Sequence, residues 1–181
     1  MVYTAESVAY RNLVNEIPPP RSARVNNPYR EWIGAQIRAE LWGWACPGDP
    51  EFAAELAHRD AAVSHTKNGI YGEIFFAAML ASAFCASDLE SLITLGLSEI
   101  PGNCRLREAV QDVVEWCSRD ADWTETWQRT MDKYGRYHPV HTINNACLIL
   151  MGLLHARGDF GRAICITVMG GLDTDCTGAT A

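Results

Sequence analysis

The sequence predicts an all-α protein, and three features carry that prediction. Apolar residues recur at intervals of three and four along most of the chain, which is the spacing of one face of an α-helix. Aspartate precedes several of these stretches, and glycine or proline follows them, as is typical of helix starts and ends. No segment shows the alternation of polar and apolar residues that indicates a half-buried strand.

The length, composition and charge of the chain are typical of a single globular domain. A chain of 181 residues can bury a sizeable core, so we expect a single domain over residues 1–181. Hydrophobic residues make up 48% of the chain and charged residues 20%, which is typical of a soluble globular protein. The net charge of -7 argues against binding to a nucleic-acid backbone.

The cysteines and the apolar runs give an expectation about location. The seven cysteines stand singly, without a Cys-x-x-Cys pair, so neither a disulfide framework nor a zinc cluster is indicated. A reducing compartment suits such cysteines, and we expect a cytoplasmic protein. No apolar run is long enough to span a membrane and the N-terminus lacks a signal-peptide profile, so no membrane partner is expected.

Two helices are predicted before residue 45. Residues 3–16 form an amphipathic helix, which Pro18 ends because proline lacks the N–H that a helix interior needs. Residues 29–44 form the second helix, in which Gly34 and Gly43 indicate close packing. The expected apolar faces contain Tyr3, Val8, Leu13 and Val14 in the first helix and Ile33, Ile37 and Leu41 in the second.

The next segments predict a central helix and its neighbours. The Asp-Pro-Glu sequence at residues 49–51 is a strong helix start, and the helix that it opens leads to a turn at residues 64–68. Residues 69–85 form a helix rich in alanine and serine, and such small residues let other helices approach closely, so we expect it at the centre. Asp88 caps the following short helix. The helix that begins at residue 50 is expected to bury Phe52, Leu56 and Val63.

The second half of the chain predicts four more helices. Residues 106–117 and 123–134 have amphipathic helical spacing. Residues 140–154 are apolar almost all round, so this helix is expected to be buried on most sides. Asp159 caps the last of the four helices, which ends at Gly170.

The most informative stretch is residues 170–178 (GGLDTDCTG), which follows that apolar helix. Two carboxylates one residue apart, Asp173 and Asp175, repel each other unless a cation or water lies between them. After an apolar helix, a hard cation with oxygen ligands, such as Mg²⁺, is a natural solution, and Gly170 and Gly171 let the backbone approach closely. The alternative is an exposed or helix-capping turn without a metal.

Three segments in this order resemble the ADP-ribosylglycohydrolase family. They are residues 32–57, residues 60–72 (DAAVSHTKNGIYG) and residues 170–181 (GGLDTDCTGATA). The likeness extends from about residue 28 to the end of the chain. It implies a compact, orthogonal, multi-helix domain of the type found in that family.

The resemblance implies a metal site at Asp173, Asp175 and Cys176. The matching aspartates of the family help to hold two Mg²⁺ ions, for which Mn²⁺ is an alternative. No side chain is identified as catalytic; the resemblance implies a water oriented by the metals and positioned through Asp173 and Asp175. Many relatives have threonine in place of Cys176, and a thiol suits Mg²⁺ poorly. Either Cys176 acts through its backbone alone, or the second metal is held differently.

The resemblance also implies a substrate-binding wall at the turn before the central helix. His65 matches a histidine that lies beside ADP-ribose in the family, although a histidine in such a turn is more often a surface or capping residue. We expect Asp173 and Asp175 to lie in a cleft next to this turn. The expected substrate contacts are His65, Asn68, Gly69, Tyr71, Gly72, Gly170 and Gly171.

The chain departs from the family pattern in one respect. The other metal motif of the family, Thr-Asp-Asp, does not occur in this sequence. We therefore expect a central-to-late part of a larger domain, with a further chain or segment supplying the missing metal ligands. With the family's N-terminal helices absent, residues 69–85 and 140–154 are expected to leave apolar surface uncovered and to promote self-association.

Two functions are predicted from these observations. The first is an ADP-ribosyl glycohydrolase, or the larger part of one, that acts on ADP-ribose or an ADP-ribosylated acceptor. The alternative is a non-catalytic helical protein that binds a nucleotide or serves a structural role. The sequence does not identify the acceptor.

Overall fold

A computed structural model describes residues 2–181, which form ten α-helices and one 3-10 helix and contain no strand. The predicted all-α class is therefore confirmed. The helices group into two compact units, an N-terminal unit that ends at Gly102 and a C-terminal unit that covers Asn103–Ala181. The expectation of a single domain over residues 1–181 stays a prediction.

Each unit contains five α-helices of the described chain. The N-terminal unit contains α1 (Thr4–Val14), the 3-10 helix (Gln36–Arg38), α2 (Ala39–Ala45), α3 (Pro50–Ala61), α4 (Asn68–Ser82) and α5 (Leu89–Ser98). The C-terminal unit contains α6 (Arg105–Arg119), α7 (Trp123–Tyr134), α8 (Thr142–Ala156), α9 (Phe160–Met169) and α10 (Thr174–Thr180). Among residues 2–181, no helix is both long enough and apolar enough to cross a lipid bilayer.

Three aspartates start helices as the sequence predicts. Asp49 accepts a hydrogen bond from Phe52 N at the start of α3 (3.0 Å), and Asp88 accepts one from Ser91 N at the start of α5 (2.9 Å). Asp159 accepts one from Arg162 N at the start of α9 (2.8 Å). These local signals suffice to predict a helix start, because the N-cap side chain accepts a hydrogen bond from an N–H group in the first turn of the same helix. This interaction does not depend on the rest of the fold.

The helix α4 is the centre of the N-terminal unit, as expected from its small residues. It contacts α2, α3, α5 and the 3-10 helix, and most of its residues are buried. The helix α8 is equally buried in the C-terminal unit, where it contacts α6, α7, α9 and α10. The expectation that these two helices would leave apolar surface uncovered is wrong, because the described chain already buries them.

The buried face of α3 differs from the predicted one. Phe52 is 47% exposed, and neither Leu56 nor Val63 is fully buried. The helices α3 and α4 pack together along alanines instead, since a side chain of one carbon lets two helix backbones approach closely. The buried alanines of α3 are Ala53, Ala54, Ala57 and Ala61.

The first two predicted helices are also corrected. In α1, Tyr3, Leu13 and Val14 are exposed, and the buried face is formed by Ala5, Val8, Ala9 and Asn12. Asn12 explains the difference, because its side-chain amide donates to the carbonyls of Ser22 and Val25, both at 2.8 Å, and turns this face toward the following loop.

The predicted helix over residues 29–44 is broken into turns, the 3-10 helix and α2. Ile33 is buried as expected, but Leu41 is 58% exposed. Gly34 lies at the break, where an added Cβ would stand 2.6 Å from a carboxylate oxygen of Glu6 on α1. The same carboxylate pairs with Arg38 of the 3-10 helix (2.7 Å), so the break lies close against α1.

We predict that Gly96→Ala destabilises the N-terminal unit. Gly96 lies on α5 against α4, and an added Cβ would stand 2.8 Å from the carbonyl oxygen of Phe75 and 2.7 Å from Met79 Cγ. Overpacking of about 1–3 kcal/mol should outweigh the helix-propensity gain of about 1 kcal/mol. Urea unfolding measures the difference.

The matched control is Gly102→Ala, because no atom lies within 4 Å of its added Cβ. We expect the free energy of unfolding of the control to stay close to that of the wild type. Equal stability of the two variants would show that α5 does not depend on close packing at residue 96.

Candidate functional site

The turn between α3 and α4 is held in place by the loop that precedes the 3-10 helix. Ser22 Oγ donates to the carbonyl of Val63 (2.7 Å), and Asn27 Nδ2 donates to the carbonyl of Ser64 (2.8 Å). In return, the N–H of Thr66 donates to the carbonyl of Arg30 (2.8 Å). These three bonds fix the turn from outside, so its backbone does not rely on α3 and α4 alone.

His65 lies in this turn and is 1% exposed. Its Nδ1 is 2.8 Å from Ser64 Oγ and 3.9 Å from a carboxylate oxygen of Glu6. Burial lowers the pKa of His65 to about 4, an effect that the charge of Glu6 opposes, so the imidazole is neutral at neutral pH. Its Nε2 has no hydrogen-bond partner among the described residues.

A cavity of about 800 Å³ opens beside His65 in the N-terminal unit. This volume lies within the range of about 300–1,000 Å³ that is typical of small-molecule sites. Thr66 also lines the cavity, and its buried hydroxyl, like Nε2 of His65, is without a partner in the part of the chain described. The lining residues are Pro20, Arg24, Arg30, His58, Ala62, His65, Thr66, Lys67, Ile70 and Tyr71.

Of the other expected substrate contacts in this unit, one lines the cavity and three do not. Tyr71 lines the cavity together with His65. Asn68 and Gly69 are buried beside the loop instead: Asn68 Nδ2 donates to Glu31 Oε2 (2.7 Å), and a Cβ on Gly69 would stand 2.6 Å from the carbonyl oxygen of Arg30. These two residues therefore pack against the loop and do not line the cavity. Gly72 is buried within α4 and is not among the lining residues.

A cluster of charges lies behind the turn, and Arg38 is its centre. Its Nε is 2.6 Å from Asp60 Oδ2, and its Nη1 is 2.7 Å from Glu6 Oε1. Nη1 also donates to the carbonyl of Gly34 (2.7 Å), and Nη2 is 3.9 Å from Glu73 Oε2. The carboxylates come from α1, α3 and α4, so one guanidinium joins three helices to the 3-10 helix.

Two carboxyl groups of this cluster, Glu73 and Asp60, differ in their protonation. Burial first, and then the neighbouring Asp60, raise the pKa of Glu73 to about 10, and Glu73 is 0% exposed. The pKa of Asp60 is lowered: burial opposes its ionisation, but the neighbouring Glu73 carboxyl and the hydrogen bond from Arg38 favour the charged form. At neutral pH, Glu73 is therefore protonated and Asp60 ionised. Trp42 Nε1 also donates to Glu73 Oε1 (2.8 Å).

Sequence reasoning missed this cluster and the cations of the cavity. Glu73 carried a usable signal, because it is the only charged residue in the long apolar stretch of residues 68–83. Arg24 and Arg30 carried no such signal, since no sequence feature of the loop indicates that it folds over the start of α4.

The second predicted region, residues 170–176, is fixed within the C-terminal unit. Trp127 Nε1 donates to the carbonyl of Gly170 (2.8 Å), and the N–H of Asp173 donates to Asn145 Oδ1 (3.1 Å). Gly171 has a φ of 81°, which a glycine adopts at little cost. The turn is thus anchored at both ends by buried or half-buried side chains of α7 and α8.

The two aspartates have different positions in this turn. Asp173 is the N-cap of α10, and its Oδ1 accepts a hydrogen bond from the N–H of Cys176 (3.2 Å). Asp175 is exposed in the first turn of α10, and Cys176 is half-buried. The backbone of Cys176 therefore has a structural role.

The donor chemistry of this turn fits one side of a Mg²⁺ site. No group of three or more His, Cys, Asp or Glu side chains suited to a metal occurs within residues 2–181. Mg²⁺ commonly uses only one or two protein carboxylates and completes its shell with water and substrate oxygens, so the chemistry of Asp173 and Asp175 is compatible with such a shell. The metal assignment, like the expectation that this turn and the His65 turn share a cleft, stays a prediction.

We predict that Glu73→Gln weakens the pH dependence of stability. The pKa of Glu73 is about 10 in the folded protein and 4.5 ordinarily, so between these values the folded state holds one more proton than the unfolded state. Stability therefore falls as the pH rises through this window, by up to about 1.4 kcal/mol per pH unit. The glutamine retains an acceptor for Trp42 and does not titrate. Urea unfolding at pH 6 and pH 9 should show the smaller loss in the variant.

The control for this measurement is Glu51→Gln, on the exposed side of α3. It makes the same chemical substitution at an exposed carboxyl group away from Arg38 and Asp60, so it should keep the pH dependence of the wild type. If Glu73→Gln also keeps it, Glu73 is ionised in the folded protein at neutral pH.

Comparison with known proteins now identifies the family. The family model described as ADP-ribosylglycohydrolase matches residues 3–181. No curated protein and no solved structure matches the chain. Because the family match covers nearly every residue, including the His65 turn and the Asp173 turn, the chain belongs to the ADP-ribosylglycohydrolase family.

Proposed function

We propose that this chain hydrolyses the glycosidic bond between ADP-ribose and an acceptor, with Mg²⁺ as its cofactor. The observation that carries the proposal is the family match over residues 3–181. The carboxylates at the start of α10 and the cavity beside His65 support it, because they offer an anionic group and a binding volume of suitable size. ADP-ribose or an ADP-ribosylated acceptor is the proposed ligand.

In this proposal, Asp173 and Asp175 hold the metal. Mg²⁺, with Mn²⁺ as a substitute, polarises substrate oxygens and orients water when bound. Cleavage at an anomeric carbon develops positive charge on the sugar, and carboxylate oxygens nearby lower the energy of that charge. Gly170 and Gly171 leave the approach to this turn free of side chains. Further ligands would come from another acidic chain or segment, since the described residues contribute no third side chain.

His65 and Tyr71 contact the substrate in this proposal. Because burial keeps the imidazole neutral, His65 offers a hydrogen bond rather than a charge, and its unpartnered Nε2 is the atom left for that bond. Tyr71 offers an aromatic face. Asn68, Gly69 and Gly72 support the wall without lining the cavity. We place the protein in the cytoplasm, on the basis of its unpaired cysteines.

The alternative is a non-catalytic protein that binds a nucleotide. The absence of a cluster of three metal-ligating side chains within residues 2–181 favours it. Binding of ADP-ribose without release of the acceptor, in the presence of Mg²⁺ or Mn²⁺, would support this alternative over the enzyme.

We predict that Asp173→Asn abolishes most of the hydrolysis and leaves the fold intact. Asparagine is as good an N-cap as aspartate, so α10 should persist, but the carboxylate is lost. We expect activity to fall by at least about 100-fold, the upper end of the loss that outer-shell changes produce at metal sites. Release of ADP-ribose from an ADP-ribosylated peptide, measured with Mg²⁺ and with EDTA, tests this.

The matched control is Asp159→Asn, because Asp159 caps α9 with the same side-chain geometry and is not a proposed ligand. Circular dichroism checks that both variants are folded. Equal activity of the two variants would exclude Asp173 as a metal ligand.

We predict that Cys176→Thr strengthens Mg²⁺ binding, because a hydroxyl is a harder donor than a thiol. Titration calorimetry with Mg²⁺ or Mn²⁺ measures the change, and Cys165→Thr, at an exposed cysteine of α9, is the control. An affinity that does not change would show that the side chain of residue 176 does not reach the ion.

A further inference from the structure

Three aromatic residues are exposed at one end of the N-terminal unit. The loop between α2 and α3 meets the end of α4 there, since the N–H of Gly48 donates to the carbonyl of Ala81 (2.8 Å). Each of the three residues lies within four residues of this contact. They are Trp44, Phe52 and Phe84, with exposed fractions of 63%, 47% and 58%. We call the surface that they form the aromatic patch.

The aromatic patch has the size of a binding surface. An aromatic side chain has about 150–250 Å² of surface, so the three exposed fractions correspond to about 250–400 Å². Leu41 is 58% exposed one helical turn before Trp44 on α2, and it extends the same face. Single exposed apolar residues are common on any protein, whereas a patch of about 300–600 Å² on a monomer is often functional.

The part of the chain that carries the aromatic patch is acidic. Residues 39–58 and 68–103 contain no lysine or arginine, although the whole chain has 15 such residues. Arg59 lies in the last turn of α3, at the other end of that helix, and is paired with Glu55. The exposed carboxyl groups within four residues of a member of the patch are those of Asp49, Glu51 and Asp88. The apolar surface thus has an acidic border.

This border distinguishes between the molecules that could cover the patch. A second copy of the chain would bring a net charge of -7 to a border that is already acidic. Anionic lipid headgroups are repelled for the same reason. A helix with apolar residues on one face and lysine or arginine on the other matches both the patch and its border, because its charge and its apolar stripe are complementary to them.

We propose that the aromatic patch docks a basic amphipathic helix of a partner protein. The apolar face of that helix packs on Trp44, Phe52 and Phe84, and its cations face the exposed carboxyl groups of the border. Aromatic side chains contribute most of the binding energy in many interfaces, so the three rings are the expected anchors. The inference is independent of the proposed function, because none of these residues is a proposed metal ligand or substrate contact.

Calorimetric titration of the full chain with three designed peptides tests this proposal. The first peptide has about 18 residues, with leucine at i, i+3, i+4 and i+7 and lysine elsewhere. The second has the same composition in an order without an apolar face, and the third has glutamate in place of lysine. We expect the first peptide to bind with an affinity that falls as salt rises, the second to bind at least about tenfold more weakly, and the third not to bind.

Two results of the titrations would overturn the proposal. The first is an absence of binding by the basic amphipathic peptide. The second is equal binding of the two lysine peptides, because charge alone would then account for the interaction.

Aromatic variants assign the binding to the patch. Trp44→Ala combined with Phe84→Ala should weaken binding of the first peptide by at least about tenfold. Both side chains are exposed, so the variant should unfold at the wild-type urea concentration. Phe160→Ala is the matched control, since Phe160 is 75% exposed but lies on α9 in the C-terminal unit. Wild-type affinity of the double variant would exclude the patch as the binding surface.

Carboxyl variants test the acidic border. Glu51→Gln combined with Asp88→Asn should weaken binding by about three- to tenfold and reduce its salt dependence. Asparagine retains the N-cap of α5. The matched control is Glu125→Gln combined with Asp122→Asn, which makes the same changes in the first turn and at the N-cap of α7. A salt dependence that stays the same in the Glu51 and Asp88 variant would contradict the proposed charge complementarity.

Two further measurements separate the proposed partner from other occupants. Sedimentation of the wild type should show no dimer that Trp44→Ala dissociates, and vesicles that contain phosphatidylserine should not bind through Trp44. A dimer that depends on Trp44 would show that a second copy covers the patch, and vesicle binding that depends on Trp44 would show that a membrane does. Either result would overturn the proposal.

Discussion

The guanidinium of Arg38 places a permanent positive charge among the carboxyl groups of Glu6, Asp60 and Glu73, and the N-terminal unit is arranged around it. Arginine does not lose its proton in a protein, so the charge must be matched by its neighbours. Asp60 and Glu6 place negative charge beside it, and Glu73 remains protonated because burial, and then the neighbouring Asp60, raise its pKa to about 10. The guanidinium is half-buried, and of its three carboxyl neighbours only Glu73 is fully buried, so it links α1, α3 and α4 at a partly solvated position. The cluster thereby determines where α1, α3 and α4 meet.

Small residues and hydrogen bonds to the backbone also position the helices and the loop of the N-terminal unit. The alanines of α3 and Gly96 of α5 let their helices approach α4 closely, and the loop before the 3-10 helix then covers the turn at His65. Ser22 and Asn27 bond to the backbone of that turn rather than to its side chains. His65 and Thr66 are consequently positioned without the use of Nε2 or Oγ1. A turn that is rigid and yet retains unpartnered polar atoms is suited to a ligand.

The sequence predicted those features that depend on local chemistry. The starts of α3, α5 and α9 follow from Asp49, Asp88 and Asp159, whose bonds stay within their own first turns. The buried faces of α1 and α3 were predicted wrongly, because large apolar residues were preferred over the alanines that close packing selects and over Asn12, which bonds to a distant loop. A motif singled out His65 in the sequence, and the structure places it at a cavity, but its role as a substrate contact stays a prediction. Arg24 and Arg30 were not found, since only the folded loop brings them to α4.

The contrast between the acidic chain and its basic cavity bears on how an anionic ligand is recognised. A net charge of -7 repels anions at a distance, but this repulsion is screened beyond about 8 Å at physiological salt. The field of the cations that line the cavity is likewise limited to short range. His65 is neutral and does not add to this charge, so hydrogen bonding is the polar interaction that its imidazole can offer. The cavity thus combines two kinds of polar group, cations with screened fields and a neutral imidazole whose interaction is directional.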